Sequence, residues 1–268
     1  VKLLLAIAFV AAVFLAVFRF MSRPMIFIGS DVPLAEEARL KQTFPPIRVV
    51  EYQASDGNLL RGAYFHDASE ERPVIVAFHG NAETAAHNLP FGAALFAQGF
   101  DVFLAEYRGY AGLPGSPSEK GVYRDGQGAL RWLELAGIPP HRIVLLGRSL
   151  GTGVAVELAS MRSPRALVLV APFTSAIDVG RSVVGPLSPL LVRDRFDSIS
   201  KMTSIRAPVV IIHGEKDDVI PVRMGRQMAA SRPGIHYVEL PGVNHNNIPD
   251  LAAIVGRELK ALLSPRKP

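Results

Sequence analysis

The sequence predicts an α/β protein with a mostly parallel central sheet and helices on both faces. Three observations carry that reading. Short apolar runs such as Pro73-Val-Ile-Val-Ala-Phe78 suit strands buried on both faces. These runs alternate with helical stretches, as parallel strands require. Third, the run Ile143-Val-Leu-Leu146 leads through Gly147-Arg148-Ser149-Leu150-Gly151 into a helical pattern, a G-x-S-x-G in a strand–turn–helix setting. Composition agrees: of 268 residues, 49% are hydrophobic and 20% charged, enough for a sizeable core and too apolar for disorder.

Taken in order, Val49–Tyr52, the turn pair Asp56-Gly57 and Leu59–Phe65 predict a β-hairpin. The strand from Pro73 follows. A helix over Asn88–Gln98 leads to a strand over Asp101–Ala105. A second helix (Tyr123–Ala136) leads to a strand over Arg142–Leu146, and a third (Gly151–Ser160) to Ala166–Val170. Later come the strand Pro208–Ile212, a helix around Met224–Ala230, the strand Ile235–Leu240 and a last helix over about Asp250–Leu263. The stretch Phe173–Ile205 breaks this rhythm. With Pro186, Pro189 and mixed charge it is too long for an ordinary connection and is expected to be a lid-like insertion.

The N-terminus differs in kind. Residues 3–18 are apolar without a break, flanked by Lys2 and Arg19, and the apolar stretch resumes at Phe20-Met21. A bilayer core needs about 20 helical residues, a length reached here if Lys2 and Arg19 snorkel. No small-x-small cleavage site follows, as a signal peptide would require, and no polar face marks a core helix. The expectation is an uncleaved transmembrane anchor over residues 1–23, a proline-punctuated linker with a short helix over 24–46, and an α/β domain over 47–268, with the insertion at about 173–205. Basic residues on both flanks nearly cancel, so the side of the membrane is undetermined. The formal charge of +5 falls to +2 once Lys2, Arg19 and Arg23 are set aside, and no basic run with interleaved aromatics exists, which argues against a nucleic-acid partner. Without cysteine, disulfide scaffolds, cysteine metal sites and cysteine nucleophiles are excluded.

In a parallel sheet, ligands sit at the carboxyl ends of the strands. Four such ends carry unusual residues. Ser149 occupies the sharp turn, where strain exposes its hydroxyl. Asp217, or its neighbour Asp218, follows the strand ending at Ile212; either orients a histidine or caps the next helix. His245 follows the strand ending at Leu240, which completes the chain order serine, acid, histidine. Finally, Phe78-His79-Gly80-Asn81-Ala82 follows the strand from Pro73. There the backbone N–H of Asn81 is expected to join that of Leu150 in an oxyanion hole, with His79 steadying the loop. His213 and His236 are read as structural. The chain lacks G-x-x-x-x-G-K-[ST], G-x-G-x-x-G and H-E-x-x-H, and acyl transfer by these residues calls for no cofactor or metal.

These residues resemble the α/β-hydrolase superfamily, and within it the Bem46-like serine hydrolases and those akin to α/β-hydrolase domain-containing proteins 13 and 17, which profile methods group with serine aminopeptidases of the S33 type. The resemblance spans about residues 45–265. Besides the stretches already quoted, it rests on Tyr107-Arg108-Gly109-Tyr110, Gly115-Ser116-Pro117-Ser118-Glu119, Ala171-Pro172-Phe173-Thr174-Ser175, Arg193-Asp194-Arg195-Phe196-Asp197-Ser198 and His213-Gly214-Glu215-Lys216-Asp217. It implies an α/β-hydrolase fold and favours Asp217 over Asp218. Three departures stand out: Glu106 where relatives have Asp, Ala111 where many have glycine, and Val243-Asn244 in place of a small pair. The implied function is a membrane-anchored serine hydrolase cleaving an ester or thioester of a small-molecule or acylated substrate. Val183, Val184, Leu187, Leu190 and Leu191 are expected either to line an apolar acyl pocket or to pack the insertion on the core. The alternatives are a peptidase of the S33 type and a hydrolase-fold binding protein without catalysis.

Overall fold

Alternate residues of a strand face opposite sides of its sheet, and the core of this protein divides accordingly. In β3 (Val74–Phe78), Val74, Val76 and Phe78 join one buried cluster while Ile75 and Ala77 join the other. The computed structural model describes Phe9, Val13, residues 16–20 and residues 22–264. The other strands are β1 (Ile47–Gln53), β2 (Leu59–Phe65), β4 (Asp101–Ala105), β5 (Ile143–Arg148), β6 (Ala166–Val170), β7 (Val209–Gly214) and β8 (Ile235–Leu240). They form one sheet in the order β1-β2-β4-β3-β5-β6-β7-β8. The hairpin strands pair antiparallel with each other, and β2 with β4; every later pairing is parallel.

Of the helices, α1 (Glu37–Thr43) precedes the sheet and α2 (Leu89–Phe96) follows β3. Next come α3 (Glu119–Leu135), α4 (Leu150–Met161), α5 (Ala176–Val184), α6 (Ser188–Leu191), α7 (Ser198–Lys201), α8 (Val222–Ala230) and α9 (Leu251–Leu263). Leu89 and Leu95 of α2 and Val255 and Leu259 of α9 cover one face; Val122 and Leu133 of α3, Val154 of α4 and Met224 of α8 cover the other. Helix α3 starts four residues before its predicted start, because the Ser118 side chain accepts from Gly121 N and caps it. The predicted insertion contains the three short helices α5–α7. The predicted transmembrane helix falls largely outside the described residues, of which 16–20 and 22–26 are helical. Among the described residues, no helix is long and apolar enough to cross a membrane.

Arg108, in the loop after β4, ties three segments together. Its Nη2 and Nε donate to Asp125 Oδ1 of α3 at 2.7 and 2.9 Å, and its Nη1 donates to Asp56 Oδ2 of the hairpin turn at 2.8 Å. Burial pushes the Asp125 carboxyl up against the pull of this guanidinium. Removing the cation strands a buried carboxylate. Arg108→Met is therefore expected to cost about 3–5 kcal/mol in urea unfolding, most of it recovered in the double variant with Asp125→Leu.

Candidate active site

The serine turn is held in a conformation that L residues rarely adopt. Ser149, between β5 and α4, has φ 50° and ψ −117°. Its N–H donates to Val170 O at 2.9 Å and its carbonyl accepts from Thr152 N at 2.9 Å, so both neighbours over-determine the turn. A Cβ on Gly151 would stand 2.1 Å from the Phe78 carbonyl oxygen; only glycine lets α4 begin this close to the end of β3.

Two further loops converge on this serine. Strands β7 and β8 pair in parallel as far as Gly214 opposite Leu240, so their following loops leave the sheet side by side. Lys216 N donates to Val243 O at 2.9 Å, and a Cβ on Gly214 would lie 2.4 Å from that same oxygen. The result is a continuous chain of hydrogen bonds. Asp217 Oδ2 lies 2.7 Å from His245 Nδ1, and His245 Nε2 lies 3.0 Å from Ser149 Oγ. A carboxylate only accepts, so Nδ1–H donates to it and Nε2 is left to accept from the serine hydroxyl. All three predicted residues, Ser149, Asp217 and His245, are thus brought together. Asp218 is exposed and outside this chain.

Asp217 is buried and heavily hydrogen-bonded. Its Oδ1 accepts from Val219 N at 3.0 Å and Ile220 N at 2.6 Å. His213 Nε2 lies 3.3 Å from Oδ2 and donates to Ile220 O at 2.9 Å. Burial alone would push this carboxyl up; the hydrogen bonds from His213, His245 and Ile220 overcome it and hold the pKa well below the usual carboxylate range. His213, a structural residue from the sequence, therefore also braces the acid. Its position four residues before Asp217 was the available signal.

The loop after β3 lies on the other side of Ser149. His79 has Nε2 2.7 Å from Glu106 Oε1 and Nδ1 2.8 Å from Gly80 O. Both ring nitrogens face acceptors. Burial would lower the His79 pKa, but the adjacent Glu106 outweighs it and the net direction is upward. Glu106 also accepts from Ala85 N at 2.8 Å, which pins both ends of the loop. The Asn81 side chain is turned away: its Oδ1 accepts from Ile28 N at 2.8 Å and Tyr110 Oη at 2.9 Å. Among the described residues, neither the Asn81 N–H nor the Leu150 N–H has an acceptor. Asn81, Leu150 and Ser149 all line one apolar cavity of about 350 Å³. Two free amides beside a hydroxyl can stabilise negative charge developing on a carbonyl oxygen.

Of the insertion residues, Val183 and Val184 line this cavity. Val183 is also exposed, Leu187 and Leu190 are exposed and lie outside the lining, and Leu191 is buried in packing. The sequence reading missed Phe18, Met25, Ile26 and Ile28, which line the cavity from the N-terminal side. A second cavity of about 290 Å³, bordered by His87, Asn88, Arg148 and Asn246, does not include Ser149. Among the described residues, no group of three His, Asp or Glu is placed to hold a metal ion.

Comparison with known proteins fits this geometry. The family described as serine aminopeptidase, S33 matches residues 69–193. The uncharacterized protein Rv2307c of Mycobacterium tuberculosis is 39% identical over 230 residues, 84% of this chain and 80% of that protein. The α/β hydrolase domain-containing protein 17C of Xenopus tropicalis is 30% identical over 225 residues, 83% of this chain and 71% of that protein. In fold, the chain is similar to the Pyrococcus furiosus esterase Pf2001, with TM-score 0.68 and 17% identity over 88% of this chain and 100% of that one.

The lowered pKa of Asp217 has a defined sign. A carboxyl held below its unfolded value adds stability that is complete above about pH 4 and is lost as pH falls toward the folded value. Urea unfolding of wild type and Asp217→Asn across pH 2.5–7 should show a gap that is constant near neutrality and shrinks below about pH 4.

Proposed function

The chain belongs to the α/β-hydrolase superfamily, and on that premise we propose that it is a serine hydrolase cleaving a carboxylic ester or thioester through an acyl-enzyme. The observation that carries this reading is the Asp217–His245–Ser149 chain, ending beside the unpartnered N–H groups of Asn81 and Leu150. In this reading Ser149 Oγ attacks the substrate carbonyl while His245 Nε2 takes its proton. Asp217 stabilises the imidazolium. The N–H groups of Asn81 and Leu150 bind the oxyanion, each such donor contributing about 2.7–4 kcal/mol. Collapse of the tetrahedral intermediate breaks the carbonyl–O or carbonyl–S bond, and His245 returns the proton to the departing alcohol or thiol. Water, deprotonated by the same imidazole, then releases the acid and restores Ser149.

The apolar cavity suits the acyl half of a small-molecule or acylated substrate. Peptide cleavage, the activity named in the matching family's description, is the second reading. It is less well supported, because no acidic residue among the described lining is available to a substrate amine. The apolar stretch over residues 3–18 supports a single-pass membrane anchor.

The test is labelling of the full-length protein with a fluorophosphonate probe. Wild type is expected to label, and Ser149→Ala and His245→Ala to fail, with ester turnover reduced by about 10⁴-fold or more. Labelling of Ser149→Ala to the wild-type extent, or its retention of turnover, would overturn the assignment of the nucleophile.

A further inference from the structure

The cavity at Ser149 has a wall that catalysis by the three polar residues does not require. Phe18, Ser22, Met25 and Ile26 line it at spacings of four, three and one, which places them on one face of the N-terminal helical residues. Ile28 continues the wall below them. Val179 and Val183 of α5 line the same cavity, so the hydrocarbon chain of an acyl group esterified to Ser149 Oγ would run among apolar side chains of both segments.

This wall is fastened to the catalytic domain at several points. The Arg23 guanidinium donates to Asp194 at 2.8 and 3.3 Å, and Asp194, itself buried, also accepts from Glu119 N at 2.9 Å. Phe27 is buried against Phe196 with ring centroids 5.9 Å apart. Ile28 makes two bonds to the loop after β3: its N–H donates to Asn81 Oδ1 at 2.8 Å and its carbonyl accepts from Ala82 N at 2.9 Å. Ser30 O accepts from Ala111 N at 2.7 Å. A passive tether needs none of these contacts. Residues pinned this firmly keep their side chains at a set distance from Ser149.

We propose that the N-terminal residues Phe18, Ser22, Met25, Ile26 and Ile28 are the acyl-length gauge of this site, their inward face setting how long a straight apolar acyl chain is accepted. The proposal rests on the serine-hydrolase reading and names the determinant of its specificity. In sequence the gauge runs on from the apolar stretch 3–18, so one segment serves the proposed anchor and the acyl pocket.

The experiment uses the full-length protein in lipid nanodiscs with p-nitrophenyl esters from acetate to dodecanoate. For wild type, kcat/KM is expected to rise about fourfold for each methylene that the cavity buries, then to level off. Ile26→Trp and Met25→Trp fill the cavity and are expected to move the optimum to shorter esters, lowering the octanoate-to-acetate ratio at least tenfold. Ile26→Ala widens it and is expected to move the optimum to longer esters. Phe20→Trp adds the same indole off the lining face and is expected to leave the profile unchanged. A wild-type rate that does not rise with chain length overturns the gauge and leaves the hydrolase reading intact if Ser149 still labels with fluorophosphonate. Tryptophan and alanine variants that all keep the wild-type optimum also overturn it, whatever their absolute rates. Absence of labelling at Ser149 overturns the underlying reading and the gauge with it.

Discussion

The structure depends on how closely backbone approaches backbone where β3 and β5 end. These strands pair in parallel register up to Phe78 opposite Gly147, so the two loops that follow emerge at the same level. One carries Asn81 and the other Ser149 and Leu150. Their approach leaves no room for a side chain between them: a Cβ on Gly151 would stand 2.1 Å from the Phe78 carbonyl oxygen and 2.7 Å from that of His79, and within the serine turn a Cβ on Gly147 would stand 2.4 Å from the Gly151 carbonyl oxygen. Helix α4 therefore starts directly after the serine, with the N–H of its first residue, Leu150, without an acceptor among the described residues. The positive φ of Ser149 is the strain this geometry stores, and the bond to Val170 O holds it in place.

Around this contact the polar groups are arranged so that few are left to chance. Asp217 reaches His245 while the Val219 and Ile220 amides and His213 occupy its remaining lone pairs. Such a carboxylate cannot rotate away, so it fixes which nitrogen of His245 carries the proton. On the far side His79 and Glu106 form a buried pair, and the carboxylate extends into Ala85 N and Tyr107 N. Glu106 spans the distance from the end of β4 to His79. Among the described residues, the hydrogen bonds of Asp217 and His245 and those of His79 and Glu106 thus form separate networks around Ser149.

The N-terminal segment ties the site to the rest of the molecule. Residues read from the sequence as a linker make hydrogen bonds to the loop after β3 and a ring contact with Phe196, and Arg23, read as the end of the anchor, forms an ion pair with Asp194. Phe196 sits at positive φ and is fully buried between Phe27, Tyr123 and Phe173. The insertion and the N-terminal segment therefore share one aromatic contact at the wall of the cavity.

Much of this was legible in the chain alone. Alternation of apolar runs and helical stretches placed the parallel strands, because burial on both faces demands continuous hydrophobicity. The turn Gly147–Gly151 announced itself because only glycine tolerates such close approach. The order Ser149, Asp217, His245 followed from strand ends, since parallel strands deliver their following loops to one edge of the sheet. Ser118 as the cap of α3 went unread, because the glycines at 121, 126 and 128 weaken the helical signal there. The destination of residues 18–28 was also illegible, for a deeper reason. Their apolar pattern says that they avoid water, but hydrophobicity is non-directional and names no partner. Local sequence determined which residues must be buried and which turns must be tight. Only the tertiary structure decided which buried surfaces face each other, because that choice rests on contacts between residues far apart in the chain, as between Ile28 and Asn81.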